Sequence, residues 1–249
     1  MSSQYNNYFE IYDTIHSKKN YIDEVKCIEE YINMIKPFEE VEKILDFGCG
    51  TCAHLEILLK NHPSKKAVGV DICQKMIDKA SDKKIKNLKL FAGDLNNLNI
   101  PDKFDLCISM FNVVNHIESH RELEKVFKNI NKYLKEKGIL IFDCFNGAAV
   151  YKDPPRDRKF NDEFLGKSIE YSSIVKIDYL NDSFTMKNKI KYLGRDYEYE
   201  LRQKVWTIGL LKDILEKNNF VVKEIFKSFT RDKPDAEDYK ICFVCKKRD

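Results

Sequence analysis

Lys43-Ile-Leu-Asp-Phe-Gly-Cys-Gly-Thr-Cys52 constrains this chain more than any other stretch. Lys43 to Phe47 reads as a short buried strand, and Gly48 and Gly50 turn the chain tightly. From Thr51 onward, Ala53, Leu55, Ile57, Leu58 and Leu59 read as a helix. Strand, glycine turn and helix form the first half of a dinucleotide-type site. The glycines let a ligand approach the backbone closely, and the helix N-terminus is expected to present free N–H groups to it.

Two ligand classes fit such a turn. A pyrophosphate cofactor usually requires G-x-G-x-x-G, the third glycine serving close helix–strand packing. Here the series is Gly48, Gly50, Cys52, with Ala53 next, so that fingerprint is incomplete. Asp46, two residues before the first glycine, would repel a pyrophosphate and attract a cation. S-adenosylmethionine (SAM) carries both a sulfonium and an ammonium. A nicotinamide-dependent oxidoreductase on the same scaffold is the alternative reading, and a SAM-binding protein without catalysis is another.

Further acids follow at strand ends. Lys66 to Asp71 reads as a second strand whose terminal Asp71 suits the two ribose hydroxyls of an adenosine, NAD included, and equally suits the cap of the next helix. Ile72 is placed to pack on the adenine. Asn87 to Asp94 reads as a third strand and turn, with Asp94 set to accept from an adenine amino group, or simply a turn residue. Phe104 to Phe111 is the fourth strand, ending in Asn112-Val-Val-Asn-His116, and Gly138 to Asp143 is the fifth. Between them Leu123, Val126, Phe127, Ile130, Tyr133 and Leu134 recur at helical spacing. The alternation predicts a doubly wound, mostly parallel α/β sheet of seven strands, with ligand at the strands' carboxyl ends. The expected cofactor contacts are Asp46, Gly48, Gly50, Asp71, Ile72, Asp94, Leu95 and Met110.

Three strand-like runs without a helix, 168–179, 183–192 and 197–204, predict a small antiparallel insertion after strand five. It would form a dimer interface or roof an acceptor pocket. Before it, Arg156 and Arg158 stand on a loop where they would clamp an anionic substrate or remain solvated. Phe220–Phe226 and Tyr239–Cys245 lack an intervening helix and are expected to close the sheet as an antiparallel pair. Upstream, Tyr5, Tyr8, Phe9, Tyr12 and Tyr21 precede and open a helix patterned by Ile22, Val25, Ile28, Ile32 and Ile35. They pack as a lid, or Tyr12 or Tyr21 closes over the ligand. The expected organisation is a lid over 1–40, a cofactor core over 41–150, the insertion over 151–205, and a closing helix and strand pair over 206–249.

Net charge is +3, from 43 basic and 40 acidic residues, so bulk charge gives no nucleic-acid footprint. No apolar run approaches the roughly 18 residues of a membrane span, and the N-terminus lacks a leader's apolar stretch. A cytoplasmic protein is expected. Cys49/Cys52 and Cys242/Cys245 are CxxC pairs, but the second lies in a strand, where residues three apart face opposite ways. The eight cysteines therefore read as reduced, and no metal site is expected.

The run Asp46-Phe-Gly-Cys-Gly-Thr, with Asp71 and Asp94, resembles the class I SAM-dependent methyltransferases, over residues 41–146 above all. Within that class, Tyr12-Asp13, the segment Met110-Phe-Asn-Val-Val-Asn-His116 and the antiparallel insertion look similar to small-molecule methyltransferases acting on amino groups of nucleotide-linked sugars. The resemblance implies SAM as cofactor and S-adenosylhomocysteine (SAH) as product. It implies a small-molecule acceptor methylated on nitrogen or oxygen, a sugar of a nucleotide or surface polysaccharide included. It further implies His116 as base or positioner, and a role for Tyr12. Asn112 and Asn115 would hold acceptor hydroxyls or cap the next helix.

Overall fold

The computed structural model describes residues 8–164 and 166–248. Tyr5, with the rest of the first seven residues, lies outside the described residues. Seven strands form one sheet in the order β10-β11-β5-β4-β1-β2-β3. They are β1 (Lys43–Phe47), β2 (Lys66–Asp71), β3 (Leu88–Ala92), β4 (Phe104–Ser109), β5 (Leu134–Phe145), β10 (Phe220–Lys227) and β11 (Lys240–Lys247). β1 runs parallel to both β2 and β4, and β4 parallel to β5. β11 pairs antiparallel with β5 and with β10, closing the sheet as the missing helix between them requires.

The parallel strands β1, β2, β4 and β5 are buried on both faces, which explains their nearly continuous apolar runs, whereas β3 at the edge is only half-buried. Ile44, Leu106, Ile108, Ile139, Ile141 and Val244 pack on the face covered by α2 (Tyr21–Asn33) and α3 (Ala53–Asn61). Leu45, Cys107, Leu140, Phe142 and Phe243 pack on the other, under α5 (His120–Tyr133) and α7 (Ile208–Lys217). Cys242 belongs to the first core and Cys245 to the second, so the strand does send this CxxC pair to opposite faces. α4 (Gln74–Asp82) follows β2. Strand order reverses between β1 and β4, which opens a crevice at their carboxyl ends.

The insertion is a separate antiparallel sheet of four strands, one more than the sequence predicted: β6 (Arg158–Phe164), β7 (Lys167–Asp178), β8 (Ser183–Tyr192) and β9 (Arg195–Lys204). β6 has little apolar alternation. It is an edge strand, made by pairing along β7 from Arg158↔Ser173 to Phe164↔Lys167. A short helix, α6 (Gly147–Lys152), precedes it, its first turn held by Asn146 Oδ1 accepting from the Ala148 N–H. α1 (Tyr8–Ile15) packs on this second sheet through Tyr8 and Ile11 against Ile169, Ile190, Tyr197 and Tyr199. The Tyr8 and Tyr199 rings stack at 3.8 Å between centroids. Among the described residues, no helix is long and apolar enough to cross a membrane.

Candidate active site

A cavity of about 380 Å³ opens where the crevice of the parallel sheet meets the insertion and α1. Its floor is the glycine turn. Gly48 and Gly50 adopt φ of +77° and +53°, and Cys52 at +62° starts α3 from the left-handed region. The amides of this turn are already used. Gly48 and Cys49 donate to the Val70 carbonyl at 2.8 and 3.0 Å, Gly50 to Asp71 Oδ2 at 2.8 Å, and Cys52 to the Cys49 carbonyl at 2.8 Å. These bonds hold the turn itself and leave its amides little for a pyrophosphate; the first N–H groups of α3, from Ala53 onward, are a separate set that no Cys52 side-chain bond caps.

Asp71 takes a second bond from the Cys73 N–H at 2.8 Å. It ties the glycine turn to the entry of α4 and lines the cavity together with Ile72, Asp94 and Met110. Burial pushes its carboxyl up, and the two amide bonds hold it down. Asp94 accepts from the Asn96 N–H at 2.9 Å. Asp46 is 2 % exposed at the end of β1 and is absent from the cavity wall. Burial, with the Asp71 charge beside it, pushes its carboxyl up to about 8. The native chain therefore keeps a proton on Asp46 that the unfolded chain releases near pH 4, so its burial costs more stability as pH rises from 4 toward 8.

The end of β4 is strained. Phe111 and Asn112 both have positive φ, +75° and +60°, at a cost of about 1–2 kcal/mol per residue. The Asn112 N–H donates to Asp143 Oδ1 at 2.7 Å, which fixes this kink. Asp143 is wholly buried; burial raises its carboxyl, against the pull of Lys240, the Asn112 amide and Lys19. The kink turns Phe111, Asn112 and Val113 into the cavity wall and sets His116 at the end of the following turn.

Over this floor the insertion contributes Tyr171, Met186, Asn188, Tyr199, Leu201 and Gln203, and the N-terminal segment Tyr8, Tyr12 and His16. His116 Nε2 lies 2.9 Å from Gln203 Nε2, and His16 Nε2 lies 2.8 Å from the Tyr8 hydroxyl. Burial lowers both histidines to about 4; for His16 the neighbouring Lys19 adds to it. Both rings are neutral near pH 7. Among the described residues the wall includes Asp71, Asp94 and Glu122 but no lysine or arginine.

The expected site residues thus divide. Gly48, Gly50, Asp71, Ile72, Asp94, Met110, Asn112, His116 and Tyr12 meet in one cavity. Others stand elsewhere. Leu95 is 1 % exposed within the core beneath β4 and α5. Asn115 is spent on the main chain, donating to the Lys204 carbonyl at 2.7 Å and accepting from the Phe145 N–H at 3.1 Å. Arg156 pairs with Asp153 in solvent, and Arg158 opens the exposed edge strand. Tyr21 packs against His54 instead of the cavity. Two signals were present for the residues that sequence reading missed. Tyr8 and His16 stand four residues either side of the expected Tyr12, one helical stripe. Tyr197, Tyr199, Leu201 and Gln203 alternate with charged residues, one strand face.

The donor set fits a cationic adenosine cofactor better than a dinucleotide: carboxylates at the cavity, no basic wall residue, and turn amides already engaged.

Comparison with known proteins agrees. Residues 44–138 match a family described as a methyltransferase domain. A protein of Geobacillus sp. (strain WCH70), named as a methyltransferase with no substrate assigned, is 28 % identical over 218 residues, covering 83 % of this chain and 85 % of that one. Among solved structures, a SAM-dependent methyltransferase from Clostridium acetobutylicum ATCC 824 has a TM-score of 0.83 at 22 % identity, covering 98 % of each chain. The sugar N-methyltransferase of Streptoalloteichus sp ATCC 53650 has a TM-score of 0.79 at 16 % identity, covering 97 % of this chain and 93 % of its own. At those identities the two structures establish the fold, insertion included.

Proposed function

We propose that this SAM-dependent methyltransferase of class I transfers its methyl group to an amine nitrogen of a small, hydroxylated molecule of the amino-sugar kind. The observation that carries the reading is the cavity's acceptor half: aromatic rings, amides and two neutral histidines, with no lysine or arginine on the wall among the described residues. When bound, SAM supplies a methyl group on a sulfonium and leaves as SAH.

Each part of the chain then has a task. Asp71 accepts from the ribose hydroxyls and Asp94 from the adenine amino group, while Ile72 and Met110 pack on the base. Asp46, buried at the end of β1 and off the cavity wall, would act on the cofactor's ammonium only through its charge once it ionises. Phe111, held by the kink at Asn112, keeps water from the region where acceptor and methyl meet. The chain's main contribution is alignment, which supplies about 7–11 kcal/mol in well-oriented reactions. As the N–C bond forms from the nitrogen lone pair, the C–S electrons stay on sulfur. The nitrogen becomes an ammonium and gives a proton to water.

Nitrogen is favoured over oxygen for a chemical reason. An amine attacks in its neutral form, with its lone pair ready. A hydroxyl must lose a proton as it reacts, and a base is most useful when its pKa is near the working pH. Burial has taken both histidines far below that. His116 accordingly acts as a positioner. A carboxylate acceptor would find no lysine or arginine on the wall itself, although the Lys19 and Lys240 ammonium groups lie over the Phe111 ring at 4.7 and 5.1 Å from its centroid. For a nucleotide-linked sugar, the phosphates would lie outside the cavity wall.

The test uses methyl-labelled SAM and nucleotide-linked sugars in matched amino and hydroxyl forms. Label is expected in amino forms, on nitrogen. Label in hydroxyl forms alone would overturn the reading.

A further inference from the structure

Two carbonyl oxygens of cavity-lining residues are buried without a hydrogen-bond donor: Gln203 Oε1 and Asn112 Oδ1. Both residues line the wall, and they are 4 % and 6 % exposed. A buried polar atom without a partner is costly, and each one in a native structure calls for an explanation. Both orphans are acceptors, so what completes them is a donor.

The other end of the Gln203 amide is committed. Its Nε2 lies 2.9 Å from His116 Nε2. Turned by 180°, the amide oxygen would accept from an Nε2–H; in the orientation the structure holds, the nitrogen donates, His116 Nε2 accepts, and the ring proton of the neutral histidine resides on Nδ1. The lone pair that would serve a base is thereby occupied. Gln203 sits on β9, so this arrangement depends on the insertion being docked.

We propose that Gln203 is a positioning and specificity-determining residue supplied by the insertion: it fixes His116 as the Nδ1–H tautomer, and its carbonyl oxygen, with that of Asn112, receives N–H or O–H donors of the acceptor. This rests on reading the cavity as the methyl-acceptor pocket. His116 then donates a hydrogen bond through Nδ1 and takes no proton during transfer. The two amide oxygens draw in a molecule rich in donors, and they suit the N–H groups of a nitrogen that becomes positively charged. Neither oxygen has use for an acceptor-only group such as a carboxylate. The insertion therefore completes the site chemically, beyond roofing it.

The decisive test needs no acceptor. In protein labelled with [15N]histidine, long-range proton–nitrogen correlation spectra report the tautomer of His116, assigned by its loss in His116→Gln. Wild type is expected to show Nδ1–H. Gln203→Leu, which cannot donate, is expected to release the ring toward Nε2–H. Gln203→Glu places an accepting carboxylate there, which should turn the ring to Nε2–H and raise its pKa into the titratable range. Gln203→Glu also keeps a polar side chain of the same length should the leucine variant fold poorly. Wild-type His116 found as Nε2–H, or a tautomer indifferent to both substitutions, would overturn the proposal.

A second readout separates a specificity role from a structural one. SAH affinity should stay within threefold of wild type in both variants. With an amino sugar that wild type methylates as probe, Gln203→Leu should raise the acceptor KM at least tenfold. An unchanged KM would overturn the specificity role. If no amino form is methylated while the tautomer behaves as described, the amine reading fails and the control of His116 by Gln203 stands.

Discussion

Replacing Asp71 by alanine is expected to weaken SAM binding by about 10²–10⁴-fold. The carboxylate performs three jobs at once. It accepts from the Gly50 N–H and from the Cys73 N–H, each at 2.8 Å, and it lines the cavity, where the proposed function has it receive the ribose hydroxyls. Hydrogen bonds to a charged group contribute about 1.5–3 kcal/mol each, so two to the ribose amount to about 3–6 kcal/mol. Loss of the internal pair also frees the glycine turn, which adds to the defect. Asp71→Asn should fall between, because an amide keeps one acceptor but sets its NH2 against a backbone N–H. Isothermal titration calorimetry with SAM measures both. An alanine variant within threefold of wild type would remove Asp71 from the site.

The second large effect is expected at Gly48. A Cβ there would lie 2.5 and 2.6 Å from the two γ-carbons of Val113, and the backbone φ is +77°. The left-handed conformation costs a non-glycine residue about 1–2 kcal/mol, and overpacking typically adds about 1–3 kcal/mol. Gly48→Ala should therefore destabilise by about 2–5 kcal/mol, or roughly 5–20 °C at about 2–4 °C per kcal/mol for a chain of this size. Val113 cannot move freely, because it is β-branched and follows the strained pair at Phe111 and Asn112. Adding Val113→Ala to Gly48→Ala removes both γ-carbons, so it should return most of the overpacking share and leave the φ cost, and thermal unfolding of Gly48→Ala, Val113→Ala and the double variant separates the two. A single variant as stable as wild type would contradict the packing described here.

The parallel sheet was legible because its central strands are buried on both faces. Runs such as Gly138-Ile-Leu-Ile-Phe leave little alternative to a central strand, and the glycine turn with Asp71 and Asp94 marks the carboxyl edge where a ligand belongs. Charge was a poorer guide. Arg156 and Arg158 drew attention as an anion clamp, yet Arg156 turns to Asp153, three residues before it, and Arg158 joins an edge strand formed only by docking on β7, a pairing that no local pattern encodes. Asn115 shows the same limit. Its residue type suits a ligand, but the buried ends of β5 and β9 claim both its groups. Gln203 lay 87 residues from His116 in sequence, so their bond was invisible until the insertion folded over the sheet.

Calorimetric titration of the wild-type chain with SAM, and separately with NAD, tests the central claim most directly. Asp46 carries a proton below about pH 8, and a cation bound near it favours the ionised form. SAM should therefore bind with release of a proton at pH 7, seen as a dependence of the heat on the buffer's ionisation enthalpy, and its affinity should rise with pH toward 8. NAD should give no binding heat. Saturable binding of NAD with none of SAM would contradict the account and return the glycine turn to a dinucleotide.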